Sequence, residues 1–127
     1  MRLFLANAKA TPEIDVARYT NQLTALAQRD GLVVEVTTAR DHWEARYRAA
    51  GSIGSWIYEI VNSGFAAVVV PGDGCVGRIT AEIVTGALAR RLRVLWLAPW
   101  GELQPVQEIR IVDTEGWRDG WQLVGRA

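Results

Sequence analysis

Phe65-Ala-Ala-Val-Val-Val-Pro-Gly-Asp-Gly-Cys-Val-Gly-Arg-Ile-Thr-Ala-Glu82 joins an apolar run to a glycine-rich turn and then to a helical pattern. The run from Phe65 to Val70 is rich in β-branched residues and ends at turn residues, so it predicts a strand buried on both faces. Gly72, Gly74 and Gly77 surround Asp73 in the turn. The helical pattern continues to about Arg90, and Val94 to Leu97 forms a second apolar run. Strand, loop, helix and strand in this order predict a parallel pair with a right-handed crossover. Ligands on such sheets bind beyond the carboxyl ends of the strands, where the glycine turn falls. Asp73, Arg78 and Glu82 are the polar residues expected there.

Working outward, Leu3 to Ala6 reads as strand 1. Thr11-Pro12-Glu13 opens helix 1, because Thr caps, Pro suits the first turn and Glu favours the positive end. Helix 1 runs to about Arg29 and stops at Gly31. Strand 2 is expected from Leu32 to Thr37, with Glu35 and Thr37 on a wetter face that marks a sheet edge. Thr38 to Gly54 has no clear period and is crowded with Arg40, His42, Trp43, Arg46, Tyr47 and Arg48. Ser55 to Asn62 predicts helix 2, ending at Gly64. Beyond Leu97, a loop over Ala98 to Gly101 precedes strands at Ile109 to Val112 and Trp121 to Val124. These last strands fit either an extra parallel strand or a terminal hairpin.

The alternating pattern predicts a single domain over residues 1–127. It is a three-layer α/β fold with helices on both faces of a parallel sheet, and an edge strand 2 gives the order 2-1-3-4. The switch point then lies between strands 1 and 3, placing Asn7 across a crevice from Gly72 to Gly77.

The 14 basic and 14 acidic residues cancel, which argues against a general grip on polymeric nucleic acid. One cysteine, Cys75, rules out an internal disulfide, and a reducing cytoplasm is the expected compartment. The amino-terminal apolar run is too short for a signal peptide. No run approaches the ~20 apolar residues that span a bilayer. One His and one Cys are too few for a metal cluster, and no cofactor is expected.

Each candidate has two readings. Gly72-Asp-Gly74-Cys-Val-Gly77 follows a strand and opens a helix, so its backbone N–H groups can face an anion or a sugar; the bland alternative is a tight turn that needs glycine. Glu82 is either a carboxylate facing a sugar's anomeric carbon or a surface partner of Arg78. Asp73 either contacts a sugar or forms the turn. Arg40, Arg46 and Arg48, interleaved with Trp43 and Tyr47, make either a phosphate-and-base clamp or a solvated segment.

The opening Leu3-Phe-Leu-Ala6, the Pro71-Gly72 turn, Gly77-Arg-Ile-Thr-Ala-Glu82 and Val94-Leu-Trp-Leu97 resemble the nucleoside 2-deoxyribosyltransferase-like superfamily. They also resemble the related phosphoribohydrolase-like proteins with their Pro-Gly-Gly-x-Gly-Thr-x-x-Glu motif. In that motif the Glu comes three residues earlier than Glu82, and Arg78 stands where glycine is usual.

The resemblance implies a Rossmann-like domain, with the sheet order of flavodoxin-like folds, that binds a nucleoside or nucleotide. It implies N-glycosidic bond cleavage or transfer with Glu82 as catalytic carboxylate and Asp73 as sugar-binding or acid residue. Asn7, Gly72, Gly74, Gly77, Arg78, Arg40, Arg46 and Arg48 form the expected ligand shell. The alternative is a non-catalytic nucleotide-binding module. Six tryptophans, with Trp100, Trp117 and Trp121 in or beside late loops, also predict a homodimer or larger homo-oligomer. Its contacts are expected on the second and third helices and the C-terminal segment.

Overall fold

The computed structural model describes residues 1–8, 11–43, 51–111 and 121–125. In chain order these form β1 (Arg2–Leu5), α1 (Glu13–Arg29), β2 (Glu35–Thr38), α2 (Ala39–His42), α3 (Ile53–Asn62) and β3 (Ala67–Pro71). There follow β4 (Cys75–Val76), α4 (Arg78–Ala89), β5 (Arg93–Leu97), β6 (Leu103–Ile111) and β7 (Trp121–Gly125). The strands make one mixed sheet in the order β2-β1-β3-β5-β6-β7-β4. The β2/β1, β1/β3 and β3/β5 pairs are parallel. The β5/β6, β6/β7 and β7/β4 pairs are antiparallel.

Helix placement follows from crossover handedness. The β1-to-β2 connection runs one way along the sheet, and the connections to β3 and β5 run the other. Accordingly Leu23 of α1 packs with Leu3, Leu5, Ala67, Val69 and Leu97 on one face. Trp56 and Ile60 of α3 and Ile83 and Val84 of α4 pack with Phe4, Val68 and Val70 on the other. Buried on both faces, Leu3 to Leu5 of β1 and Ala67 to Val70 of β3 can be apolar at every position, as they are, while Arg2 at the start of β1 is exposed.

Strand 2 begins at Glu35 rather than Leu32, and its delay has a local cause. Gly31 has φ +70°, its N–H donates to Gln28 O (3.1 Å), and the Leu32 N–H donates to Ala27 O (2.9 Å). This is the paired closure of a helix with a left-handed residue just past its end, so Leu32 belongs to the helix stop. The second predicted helix starts earlier than Ser55, because Ser52 caps α3 by accepting from the Ser55 N–H at 3.2 Å.

After Leu97 the chain reverses at Ala98–Gly101 and β6 returns antiparallel from Leu103, six residues before the expected strand. The C-terminal strands form a hairpin with a register shift between Val106 and Glu108, not an added parallel strand. Residues 112–120, between the two expected late strands, lie outside the described residues. Among those described, no helix is long and apolar enough to cross a membrane.

Candidate functional site at the carboxyl edge of the parallel strands

Gly72 and Gly74 have φ of +120° and +97°, a region that side-chain-bearing residues seldom occupy. Between them Asp73 turns back on its own backbone, its Oδ1 accepting the Cys75 N–H at 2.9 Å. That is the turn-forming role open to Asp in such a loop. The loop is fastened on two sides. Gly72 donates its N–H to Leu97 O (3.2 Å) and accepts the Trp96 indole N–H at its carbonyl (2.7 Å). A Cβ on Gly74 would stand 3.4 Å from the Trp96 ring, so the ring supports the loop from below. From the other side β7 adds a two-residue ladder, Cys75 opposite Gln122 and Val76 opposite Trp121, and Leu123 donates to Gly74 O at 2.8 Å.

Gly77, in an extended conformation, precedes α4 and offers no side-chain cap, and the first turn holds no acid. Its first residue is Arg78. A cation at the positive end of a helix adds to the field of the exposed N–H groups there. Glu82, one turn on, approaches Arg78 with Oε1 3.3 Å from Nε. The two side chains are 77% and 43% exposed, so this is a solvent-facing pair on the outer surface of α4. Such a pair contributes a few tenths of a kcal/mol.

Asn7 faces the other way. Its buried Oδ1 accepts the Ala39 N–H at 3.1 Å, and its Nδ2 donates to Ala8 O at 3.3 Å. Thr38 Oγ1 accepts the Asp41 N–H at 3.2 Å. Asn7 and Thr38 thus satisfy two of the otherwise unpartnered donors at the start of α2. Arg40 bridges to α1, donating to Glu13 Oε1 (3.0 Å) and Thr11 O (3.4 Å).

The polar contacts therefore fall into two groups. One joins Arg78 to Glu82 and Asp73 to the glycine loop. The other joins Asn7, Arg40, Thr11 and Glu13 around the start of α2. Arg46 and Arg48 lie outside the described residues.

Two features were not apparent from sequence. His42 is buried, accepts the Trp56 indole N–H at Nδ1 (2.8 Å) and sits among the Phe4, Phe65 and Trp56 rings. An acceptor at Nδ1 means the proton of the neutral ring is on Nε2. The second is the pairing of β7 with the loop, which the short Cys75-Val76 step gives no periodicity to announce. Among the described residues no group of three or more His, Cys, Asp or Glu is placed to hold a metal ion.

No protein-family model, curated protein or solved structure matches the chain.

Proposed function

We propose that the chain is a binding module for a small phosphate-bearing molecule of the nucleotide class, seated beyond the carboxyl ends of β3 and β5. The observation that carries this is the start of α4: a helix without a side-chain cap or first-turn acid, opening with an exposed Arg78 directly after the glycine loop. An anion there offsets both the helix dipole and the guanidinium charge. Breaking an N-glycosidic bond through Glu82 has less support. Its carboxylate is solvated and paired to Arg78, and Asp73 is engaged within its own turn.

Calorimetric titration tests the reading. A nucleoside monophosphate should bind more tightly than the nucleoside, added salt should weaken it, and Arg78→Ala should abolish the difference. Equal affinities in both proteins would remove Arg78 as a phosphate contact. Glu82→Gln should leave binding intact, and neither protein should release base from nucleosides. Base release that depends on Glu82 would restore the enzyme reading.

A second reading, self-association, is favoured by a different surface from the one expected. α3 and α4 pack on one another, with Ile57 and Val61 against Gly86. By contrast, among the described residues β2 has no hydrogen-bonded neighbour on its outer side, and Val33 just before it is 86% exposed beside exposed Leu32 and Met1. Open strand edges recruit other strands. We infer that two copies pair there. Light scattering should give a dimer mass, and Val33→Lys should halve it; a monomer at high micromolar concentration would exclude the pairing.

A further inference from the structure

Trp100 is one of two large aromatic side chains among the described residues that the fold leaves in water, at 62% exposure beside 59% for Tyr58. Exposure alone asks for no explanation; how the ring is held does. Ala98-Pro99-Trp100-Gly101 is a four-residue turn closed by the Gly101 N–H on Ala98 O at 2.8 Å, with the Ala98 N–H on Glu102 O at 2.9 Å. Pro99 sets the backbone angle at the second position, and Gly101 takes φ +88°. The side chain is fixed as well. Its indole Nε1 donates to Glu102 Oε2 at 3.1 Å, and its ring meets Trp96 edge-to-face at 5.7 Å and 73°. An indole N–H points along the ring plane, so that hydrogen bond occupies neither π face. A sealing role would bury the ring, and this ring is not buried.

The location is specific. Trp96, which braces Trp100, also donates to Gly72 O and underlies Gly74. One aromatic pair therefore connects the glycine loop after β3 with the turn after β5, at the edge where ligands of parallel sheets bind. A ring already fixed in place loses little freedom when a second ring stacks on it.

We propose that Trp100 is a stacking platform for the planar heteroaromatic ring of the ligand, with Trp96 as the residue that positions it. The proposal rests on the phosphate-site reading above and adds the other end of the ligand. On this proposal a nucleotide would set its ring on Trp100 and its phosphate at Arg78, the two being linked through Trp96 and the glycine loop. Stacking on an indole face accepts any purine or pyrimidine and selects against a bare sugar phosphate.

The test compares AMP, adenosine, ribose 5-phosphate and inorganic phosphate by calorimetry on wild type, Trp100→Ala and Trp100→Phe. Thermal melting of both variants checks that the exposed substitution leaves the fold intact. Wild type should bind AMP at least about tenfold more tightly than ribose 5-phosphate. Trp100→Ala should erase that margin without changing ribose 5-phosphate, and Trp100→Phe should keep most of it. AMP and ribose 5-phosphate binding alike in wild type, or an AMP margin that survives in Trp100→Ala, overturns the platform and leaves the phosphate site standing. Trp100-dependent adenosine binding with no binding of ribose 5-phosphate or inorganic phosphate, and no gain for AMP over adenosine, does the reverse. Absence of binding by all four overturns both.

Discussion

At the scale of single residues, the buried amide of Asn7 completes the start of α2 through the Ala39 N–H. Asn7→Ala should orphan that donor and cost about 1–3 kcal/mol in urea unfolding. An unchanged unfolding midpoint would show that the acceptor is not what matters. Gly74 carries a second prediction. With φ +97° and the Trp96 ring 3.4 Å from a Cβ, Gly74→Ala should cost about 1–3 kcal/mol. Gly77, at φ −79° with open space around it, should accept Ala with little change. Identical effects at the two glycines would refute the conformational account. The sequence marks where glycines cluster, but it does not mark which of them has a positive φ, because that depends on Trp96 some twenty residues later.

At the scale of elements, the two ends of α4 make opposite demands. Its C-terminus repeats the closure seen after α1: the Arg91 N–H meets Leu88 O at 3.1 Å and the Leu92 N–H meets Ala87 O at 2.9 Å. Here a non-glycine residue sits at φ +58°. Left-handed backbone costs an L-residue about 1–2 kcal/mol, so Arg91→Gly should raise stability by about 1 kcal/mol. An unchanged or lower melting temperature would contradict this. At the N-terminus, Gly77→Asp supplies the missing cap and should gain a few tenths of a kcal/mol. On the proposed phosphate-binding reading the same carboxylate would occupy the donors an anion needs, so phosphate affinity should fall while stability rises. A parallel rise in both would place the anion elsewhere.

Apolar patterning made β1, β3, β5 and α4 legible, since each is long enough to show a period or an unbroken run. β4, of two residues, shows no alternation, and α2, of four, is about one helical turn and shows no 3.6-residue period. The start of β2 was hidden because Leu32 and Val33 are as apolar as a strand, while hydrogen bonding assigns Leu32 to the helix stop.

At the scale of the whole molecule, the parallel half and the antiparallel half of the sheet meet at β5 and again at the glycine loop. The hairpin of β6 and β7 is thus part of the site's support. Leu123, buried on the α3 and α4 side, joins the core while its N–H holds Gly74 O. Leu123→Ala should cost about 2–5 kcal/mol, and amide exchange at Cys75 and Val76 should rise more steeply than in β1 or β3. Uniform acceleration across the sheet would mean that the hairpin and the loop do not open as a local unit. The layer arrangement was readable because crossover handedness leaves few choices. The hairpin's destination was not readable, because two-residue strand pairing has no compositional signature.

The clamp on the loop also has a consequence in time. Translation delivers the loop first, then α4, β5 and β6, and only then residues 121–125. At ~5–20 residues per second, the loop spends seconds on the ribosome with its Trp96 support arriving midway and its strand partner absent. A nascent chain arrested before residue 121 should expose the 72–77 segment to protease, and release of the remaining residues should protect it.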